Sequence, residues 1–141
     1  MAAFGYFSDR KQVDASHFDV GALYLDGQAL MNQQRWFTAE ARFRQVLAVA
    51  PSHGLARAHR AICLFNMSRE NEAIREAERA VLTHPRESYT HFALGVVRHA
   101  LGKLKQAERS VGKALRIDPE NNSYRNRLES IETALLLARK R

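Results

Sequence analysis

Apolar residues recur along this chain at the spacing of an α-helix. Ala73, Ala77 and Ala80 share one helical face, and Ala107 and Val111 begin the same pattern further along. Spacings of three and four residues place side chains on one side of a helix. No segment alternates apolar and polar residues convincingly, as a half-buried strand would. The pattern therefore predicts an all-α fold.

The same residue types also return at a fixed interval. The three prolines, Pro51, Pro85 and Pro119, are spaced 34 residues apart, twice. Proline lacks a backbone N–H and clashes with the preceding turn, so each is expected to follow the end of a helix. A period of this length is typical of a repeat architecture. Residues that keep the interval are Gly27, Ala61 and Gly95; Ala39, Ala73 and Ala107; Val46, Ala80 and Ala114; and Leu47, Val81 and Leu115.

Each 34-residue unit contains two segments with helical periodicity, separated by a short break. The break lies near Gln34 and Arg35 in the first unit. In the second unit we expect Ser68 to be the N-cap of the following helix, because its hydroxyl can accept a backbone N–H. In the third unit Gly102 is expected to cap the preceding helix. Residues 122–141 begin as a fourth unit would but lack a second helix, which predicts a polar capping helix.

The 34-residue length, the recurring small residues, the large Phe43 and the closing prolines resemble the tetratricopeptide repeat family. This resemblance implies a right-handed α-solenoid of three antiparallel helix pairs with a solvating C-terminal helix. It divides the chain into an N-terminal extension or cap (1–19), three repeats (20–53, 54–87 and 88–121) and a capping helix (122–141).

Some positions depart from the family's pattern. The family places a large apolar residue early in the first helix of each repeat; Leu23 fits, whereas Arg57 and His91 do not. The residue before the recurring small residue is apolar in the family, but Asp26 and Arg60 occupy that place here. These departures concern packing detail and leave the predicted fold unchanged.

In this family the first helices of the repeats line the concave surface of the solenoid, which serves as an extended binding surface. Transferring the family's groove pattern implies a partner-binding groove on this chain. Helical geometry agrees, because Tyr24, Gln28 and Met31 are an i, i+4, i+7 set. The implied groove residues are Gly21, Tyr24, Gln28, Met31, Asn32, Leu55, Ala58, His59, Ile62, Phe65, Asn66, Tyr89, Phe92, Val96, His99, Asn126, Arg127 and Ser130.

The chemistry of this groove narrows its partners. Some family members hold an acidic C-terminal carboxylate in a clamp rich in lysine and asparagine. Here Tyr24 stands at the clamp lysine site and His59 at a later asparagine site, so we do not expect binding to the tails of heat-shock chaperones. The remaining residues are aromatic or aliphatic, with Gln28, Asn32 and Asn66 available to hydrogen-bond a peptide backbone. A contiguous apolar concavity usually marks an interaction site; the alternative is that several of these side chains pack between helices.

The net charge of +7 is distributed unevenly. Most of the excess lies in residues 88–141, which could attract acidic proteins or nucleic acid. The plainer interpretation is a solvated helix surface with a cationic C-terminal turn that suits the helix dipole. Nucleic acid is not the expected partner, because no aromatic residues interleave with the cations to stack bases. The candidate basic face consists of Lys103, Lys105, Arg109, Lys113 and Arg116.

Catalytic and metal-binding motifs are missing from the sequence. The six histidines form no HExxH motif and no i, i+4 pair, and there is no phosphate-binding glycine loop, GxSxG motif or cysteine cluster. The single cysteine, Cys63, excludes an intramolecular disulfide and is expected to be a buried small apolar residue. We therefore expect no enzyme activity, no metal and no cofactor.

The segment before the first repeat carries Phe4, Tyr6, Phe7 and Phe18. It is expected to act as an N-terminal cap or as an arm that lies in the groove of its own or a neighbouring molecule, which is one route to self-association. Helix formation is expected to begin near Asp14 or Ser16. No signal peptide or membrane-spanning stretch is apparent, so a cytoplasmic location is expected.

The leading functional hypothesis is a protein-interaction adaptor that binds a peptide segment of a protein partner in an apolar, aromatic groove. Alternatives are a secretion-type chaperone for an exported protein, a homo-oligomeric scaffold built through the groove or the N-terminal arm, and a basic-surface nucleic-acid binder.

Overall fold

The computed structural model describes residues 19–140, and this part of the chain is entirely helical apart from turns, with no strand. The predicted all-α solenoid is confirmed. The expected helix starts at Asp14 or Ser16 and the N-terminal arm lie outside the described residues. The helices are α1 (Val20–Asn32), α2 (Trp36–Val49), α3 (Gly54–Asn66), α4 (Glu70–Thr83), α5 (Ser88–Ala100), α6 (Leu104–Ile117) and α7 (Asn122–Arg139).

The helices pack as successive antiparallel pairs. α1 packs against α2, α3 against α4 and α5 against α6, and these are the most extensive contacts between helices. The first helix of each later pair also packs against the pair before it, α3 on α2 and α5 on both α3 and α4. α7 packs on α6 in the same way, so it closes the stack as the predicted capping helix. No helix of the described part is long and apolar enough to cross a membrane.

The turn inside each pair uses one residue with a left-handed backbone. These residues are Gln34 (φ 59°), Ser68 (φ 64°) and Gly102 (φ 79°), which keep the 34-residue interval. The expectation that Gly102 follows a helix end is confirmed. The expectation that Ser68 is an N-cap is wrong, because the N-cap position of α4 is Arg69 and Ser68 supplies the reversal after α3. A left-handed residue after a helix allows the chain to turn back, whatever its side chain could cap.

The turns between pairs are held by a second periodic feature. Residues six positions after each closing proline donate a side-chain hydrogen bond to the proline's carbonyl oxygen. Arg57 donates to Pro51 over 3.0 Å, and Arg125 donates to Pro119 over 2.7 Å. His91 Nε2 lies 2.6 Å from the carbonyl oxygen of Pro85. Arg57 and His91, the departures from the family's large apolar residue, thus share a role with their counterpart in α7.

Close contact between paired helices depends on the recurring small residues. A Cβ added to Gly27 would lie 2.7 Å from the Phe43 ring, and one added to Gly95 would lie 2.4 Å from Cγ2 of Val111. Phe43 and Val111 are fully buried, as is Ala61, the third residue of this set. The sequence prediction that these positions allow close approach is therefore confirmed.

Charged residues occupy part of the interior between the first two pairs. Arg60 contacts Glu40 on α2 and Glu76 on α4 over 2.8 and 3.0 Å, and Arg57 contacts Glu76 over 3.1 Å. Glu40 and Glu76 are buried, with exposed fractions of 3% and 8%. Buried carboxylates require ionic or hydrogen-bonded partners. The departure at Arg60 therefore supplies the counter-charge for acidic residues on two neighbouring helices.

Candidate functional site

A row of aromatic rings crosses the first helices of all three pairs and reaches the capping helix. Tyr24 of α1 lies 5.4 Å from the His59 ring of α3, which lies 4.2 Å from Tyr89 of α5. Tyr89 neighbours Phe92 at 5.9 Å, and Phe92 neighbours Tyr124 of α7 at 4.6 Å. Such distances are within the range of favourable ring contacts. The predicted groove positions on the three repeats are therefore connected in space.

A hollow of about 370 Å³ lies beside this row, between α1, α3 and α5. It is lined by Gln28, Met31, Asn32, His59 and Tyr89, all of which the sequence placed in the groove. Asn32 is exposed, whereas Gln28, Met31 and Tyr89 are half-buried. The hollow combines apolar surface with side-chain amides, a composition suited to a peptide side chain and its backbone.

His59 differs from the other groove positions because it is only 7% exposed. Its Nε2 lies 2.9 Å from the Tyr24 hydroxyl and 3.4 Å from Nε2 of Gln28, while its Nδ1 has no hydrogen-bond partner. Burial, and then the neighbouring His53, lowers the pKa of His59 to about 4. The imidazole is therefore neutral at pH 7 and forms the floor of the hollow.

The tyrosines on either side of His59 are also uncharged. Burial, with a smaller contribution from Glu87, raises the pKa of Tyr24 to about 12. Burial is also the main reason that the pKa of Tyr89 is raised. Since these hydroxyls stay protonated at pH 7, the first two-thirds of the ring row presents no formal charge.

The remaining predicted groove residues are divided between surface and packing. Leu55, Ile62, Phe65, Phe92 and Val96 are half-buried. Ile62 and Phe65 pack against buried side chains of the second and third pairs, and Phe92 packs against the cluster that contains Ile131 of α7. Their exposed edges face solvent while their other sides contribute to the core. Groove and core functions thus coexist in the same side chains.

Polar groove residues are concentrated at the helix ends. Asn66 is exposed, and its Nδ2 donates to the carbonyl oxygen of Ile62 over 2.9 Å, which leaves its side-chain oxygen available. At the opposite end of the row Arg127 lies 3.5 Å from Nδ1 of His99. Burial and this guanidinium both lower the pKa of His99. The groove therefore carries a single arginine near the capping helix.

The candidate basic face lies elsewhere. Lys105, Arg109, Lys113 and Arg116 are exposed on α6, and Lys103 is exposed immediately before this helix. The first four follow spacings of four, four and three residues, so they form one stripe along α6. The aromatic row lies on the first helices of the pairs, so the two candidate surfaces are separate.

Reactive and metal-binding groups are sparse in the described part of the chain. Cys63 is fully buried, as predicted, and burial raises the pKa of its thiol to about 12. A thiol with so high a pKa is a poor nucleophile at pH 7. Within residues 19–140 no group of three or more His, Cys, Asp or Glu side chains is placed to hold a metal ion.

The ring row contains a residue that sequence reasoning did not place in the groove. Tyr124 is 4% exposed, stacks against Phe92, and its hydroxyl lies 3.1 Å from Oγ of Ser88. The family's groove pattern instead indicated Asn126, Arg127 and Ser130 on this helix. An aromatic residue in the first turn of the capping helix was the available signal, but spacing alone does not reveal which ring it meets.

Comparison with known proteins agrees with the repeat pattern. A family model described as "Tetratricopeptide repeat" matches residues 24–82 and 66–122, which together extend over well more than half of the chain. With its three helix pairs and 34-residue period, the chain belongs to the tetratricopeptide repeat family.

Two curated relatives share 108 aligned residues with this chain. "Protein STIP1 homolog" from Dictyostelium discoideum is 25% identical, and the alignment covers 77% of this chain and 19% of that protein. "Hsp70-Hsp90 organizing protein" from Triticum aestivum is 26% identical with the same coverage. The chain thus spans about a fifth of the length of these relatives.

Solved structures show the same fold at low sequence identity. The Sgt2 TPR domain from Aspergillus fumigatus superposes with a TM-score of 0.78 at 21% identity and covers 91% of this chain and 86% of its own. The first TPR of Spaghetti (RPAP3), solved with the HSP90 peptide SRMEEVD, gives a TM-score of 0.71 at 22% identity, covering 86% and 98%. The second TPR domain of human RPAP3, solved with the HSP70 peptide SGPTIEEVD, gives 0.65 at 20% identity, covering 81% and 98%.

Proposed function

We propose that this chain is a non-enzymatic adaptor module that binds a peptide segment of a partner protein in its groove. The observation that carries the proposal is the row of rings from Tyr24 to Tyr124, with the hollow of about 370 Å³ beside it. Apolar and aromatic surface in a concavity releases its water when a peptide binds. Related domains solved with HSP90 and HSP70 peptides support this class of function.

The proposed contact surface is the half-exposed part of the predicted groove. Met31, Tyr89 and Val96 offer apolar edges, and the amides of Gln28 and Asn32 lie beside them at the hollow. A peptide in extended form would place alternate side chains towards the rings while its backbone meets the amides. This arrangement gives affinity through burial and orientation through hydrogen bonds.

We propose further that the groove accepts an uncharged segment and discriminates against acidic tails. The positions that resemble the family's clamp lysine and asparagine are Tyr24 and His59, and both are neutral at pH 7. A carboxylate at this place would lose hydration without meeting a cation, which is unfavourable. The wild-type chain is therefore expected to bind SRMEEVD and SGPTIEEVD poorly.

Fluorescence anisotropy with these two labelled peptides tests the discrimination directly. We expect no saturable binding by the wild-type chain, and a gain of affinity for SRMEEVD in the variant Tyr24→Lys/His59→Asn. Tight, salt-dependent binding of either acidic peptide by the wild-type chain would show that the discrimination is wrong while leaving the groove as a peptide site.

The groove itself is tested by selecting binding peptides from a display library against the wild-type chain. The selected peptides are then titrated against Met31→Ala/Asn32→Ala, with an expected loss of about tenfold or more in affinity. These surface changes are preferable to Phe65→Ala/Phe92→Ala, because Phe65 and Phe92 also pack against buried clusters.

The matched control is Leu82→Ala, which removes an apolar side chain that is 79% exposed on α4. Its affinity for the selected peptides should equal that of the wild-type chain. If Leu82→Ala abolishes binding and the Met31/Asn32 variant does not, the groove is not the binding site.

The adaptor hypothesis carries several other proposals with it. The division into repeats at 20–53, 54–87 and 88–121 remains our proposal, as do the capping helix at 122–141 and a cytoplasmic location. The related chaperone-organizing proteins favour an adaptor over a secretion chaperone, an oligomeric scaffold or a nucleic-acid binder. Cell fractionation and domain-boundary proteolysis test the location and the boundaries.

A further inference from the structure

We infer that the chain has a second binding surface, which docks an acidic amphipathic segment of a partner protein. We call it the basic shoulder. It consists of the cationic stripe on α6 and an apolar hollow at the junction of α6 and α7. Its residues are Lys105, Arg109, Lys113 and Arg116 for the stripe, and Gly112, Leu115, Pro119 and Leu128 for the hollow.

The stripe is an extended row of accessible positive charge. Its four cations are all exposed, and the first and last are eleven residues apart, a span of about 16 Å along a helix. Across residues 19–140 every ion pair within 4.0 Å involves other residues, so these four cations have no acidic partner in the described fold. Unpaired like charges in a row attract a complementary anionic segment.

The charge of α6 is specific to this helix and does not belong to the repeat pattern. α4 occupies the same place in the preceding pair and carries four glutamates and two arginines, whereas α6 carries one glutamate and four cations. Each acidic residue of α4 has a neutral counterpart 34 residues later. The replacements are Glu70 by Leu104, Glu72 by Gln106, Glu76 by Ser110 and Glu78 by Gly112.

The hollow at one end of the stripe argues for a protein partner. It measures about 510 Å³ and is lined by Gly112, Leu115, Pro119 and Leu128, with Arg116 on its rim. A leucine-sized side chain fits this apolar lining, but a phosphate backbone has no apolar group to place there. Among the large hydrophobic residues that are exposed in the described part, those on α6 and α7 are aliphatic. Base stacking therefore lacks an aromatic platform on this surface.

These features together fit a segment in which acidic residues flank an apolar anchor. The acidic side chains meet the stripe, and the anchor enters the hollow beside Arg116. Amphipathic helices bind proteins in this manner, with apolar residues at spacings of three and four. Since the aromatic groove lies on the other helices of the pairs, the two surfaces can act independently.

The test uses three probes: a labelled helical peptide of Glu and Leu in amphipathic order, a labelled peptide of Glu alone, and a labelled single-stranded DNA oligonucleotide. We expect the wild-type chain to bind the Glu/Leu peptide most tightly and to lose affinity as salt is raised. The variant Arg109→Gln/Lys113→Gln should bind this peptide about tenfold more weakly or worse. Circular dichroism checks that the fold is retained.

The repeat itself offers a matched control. Arg75→Gln/Arg79→Gln removes the same number of exposed cations from the equivalent positions of α4, 34 residues earlier. This variant should bind the Glu/Leu peptide within about twofold of the wild-type affinity. An equal loss in both double variants would mean that net charge alone drives binding, and would overturn the inference.

Gly112→Leu tests the hollow separately. A Cβ at this position would meet only Nη1 of Arg116, at 3.9 Å, so a larger side chain fits without disturbing the helix. We expect Gly112→Leu to weaken the Glu/Leu peptide several-fold and to leave binding of the Glu-only peptide unchanged. Unchanged Glu/Leu binding, or a preference for the oligonucleotide over both peptides, would contradict a protein-docking surface.

Discussion

The second and third helix pairs follow the same 34-residue plan but use different chemistry at their inner surfaces. In the second pair Arg60 lies between the buried carboxylates of Glu40 and Glu76. In the third pair the equivalents of Arg60 and Glu76 are Leu94, which joins an apolar cluster, and Ser110, which accepts a hydrogen bond from Arg98. One position in the fold therefore tolerates either a buried ion pair or an apolar contact.

The first pair shows how this tolerance arises. There the same two places are held by Asp26 and Arg42, which form an ion pair at 2.7 Å with the sign opposite to that of Arg60 and Glu76. A charge at the first place is thus accompanied by the opposite charge at the second. Because an uncompensated buried charge is costly, such departures from the family pattern are stable only as matched sets.

Removing one member of the buried ionic network should have the largest effect. Glu76→Ala leaves Arg57 without its carboxylate partner and Arg60 with Glu40 alone, so we expect it to lower the free energy of unfolding by about 3–5 kcal/mol. Ser110→Ala, at the same place in the third pair, removes one hydrogen bond and should cost about 1 kcal/mol. Urea denaturation followed by circular dichroism measures both; equal losses would mean that the two pairs do not differ as described.

Acid should weaken the second pair selectively through His59, whose counterpart in the third pair is Ala93. The folded-state pKa of about 4 lies below the ordinary value of 6.5, so the unfolded chain binds the proton more readily. Stability therefore falls as pH drops from 6.5 towards 4, by about 3 kcal/mol at most. A His59→Leu variant should show a flatter stability profile over this range; an unchanged slope would exclude His59 as its source.

The close approach of α5 and α6 should be disrupted by a single methyl group. Gly95→Ala places a Cβ 2.4 Å from Val111 Cγ2, so we expect a loss of about 1–3 kcal/mol despite the better helix propensity of alanine. Val111→Ala in the same chain should restore part of the loss. The second pair already carries Ala61 at this place, and Ala61→Gly should cost about 1 kcal/mol. Thermal unfolding of the four chains provides the comparison.

The smallest expected effects concern the turns inside the pairs. Gly102→Ala introduces a side chain at φ 79°, where no neighbouring atom lies within 4 Å of a new Cβ, so only backbone strain of about 1–2 kcal/mol opposes it. Ser68→Gly, at the equivalent turn of the second pair, should raise stability by about 0.5–1 kcal/mol. If both changes destabilise, the left-handed backbone is not the controlling factor.

Much of the fold could be predicted because each unit repeats its local signals. The prolines, the small residues at Gly27, Ala61 and Gly95, and helical periodicity gave the helix pairs and their close contacts. Ser68 was misjudged, since its capping ability is a local property, whereas the left-handed turn is imposed by the packing of α3 against α4. The charged departures at Arg57 and Arg60 were recognised, but their partners lie on other helices and have no spacing signal.

The candidate site was predicted less completely for a similar reason. The family's groove pattern indicated Tyr24, Tyr89 and Phe92, but not that these rings join in one row through His59 and end on Tyr124. The burial of His59 was also invisible, because the sequence does not show that rings from three helices cover it.

The sequence by itself determined the helical period, the 34-residue unit, the ends of the helices and the family, because these depend on neighbouring residues and on regular spacing. Only the tertiary structure decided which charges neutralise one another, which backbone positions turn left-handed, and which rings form a continuous row. Those properties depend on distances between helices, and residues 20 to 35 positions apart become neighbours only when the pairs stack, as Arg60 with Glu40 and Tyr24 with His59 do.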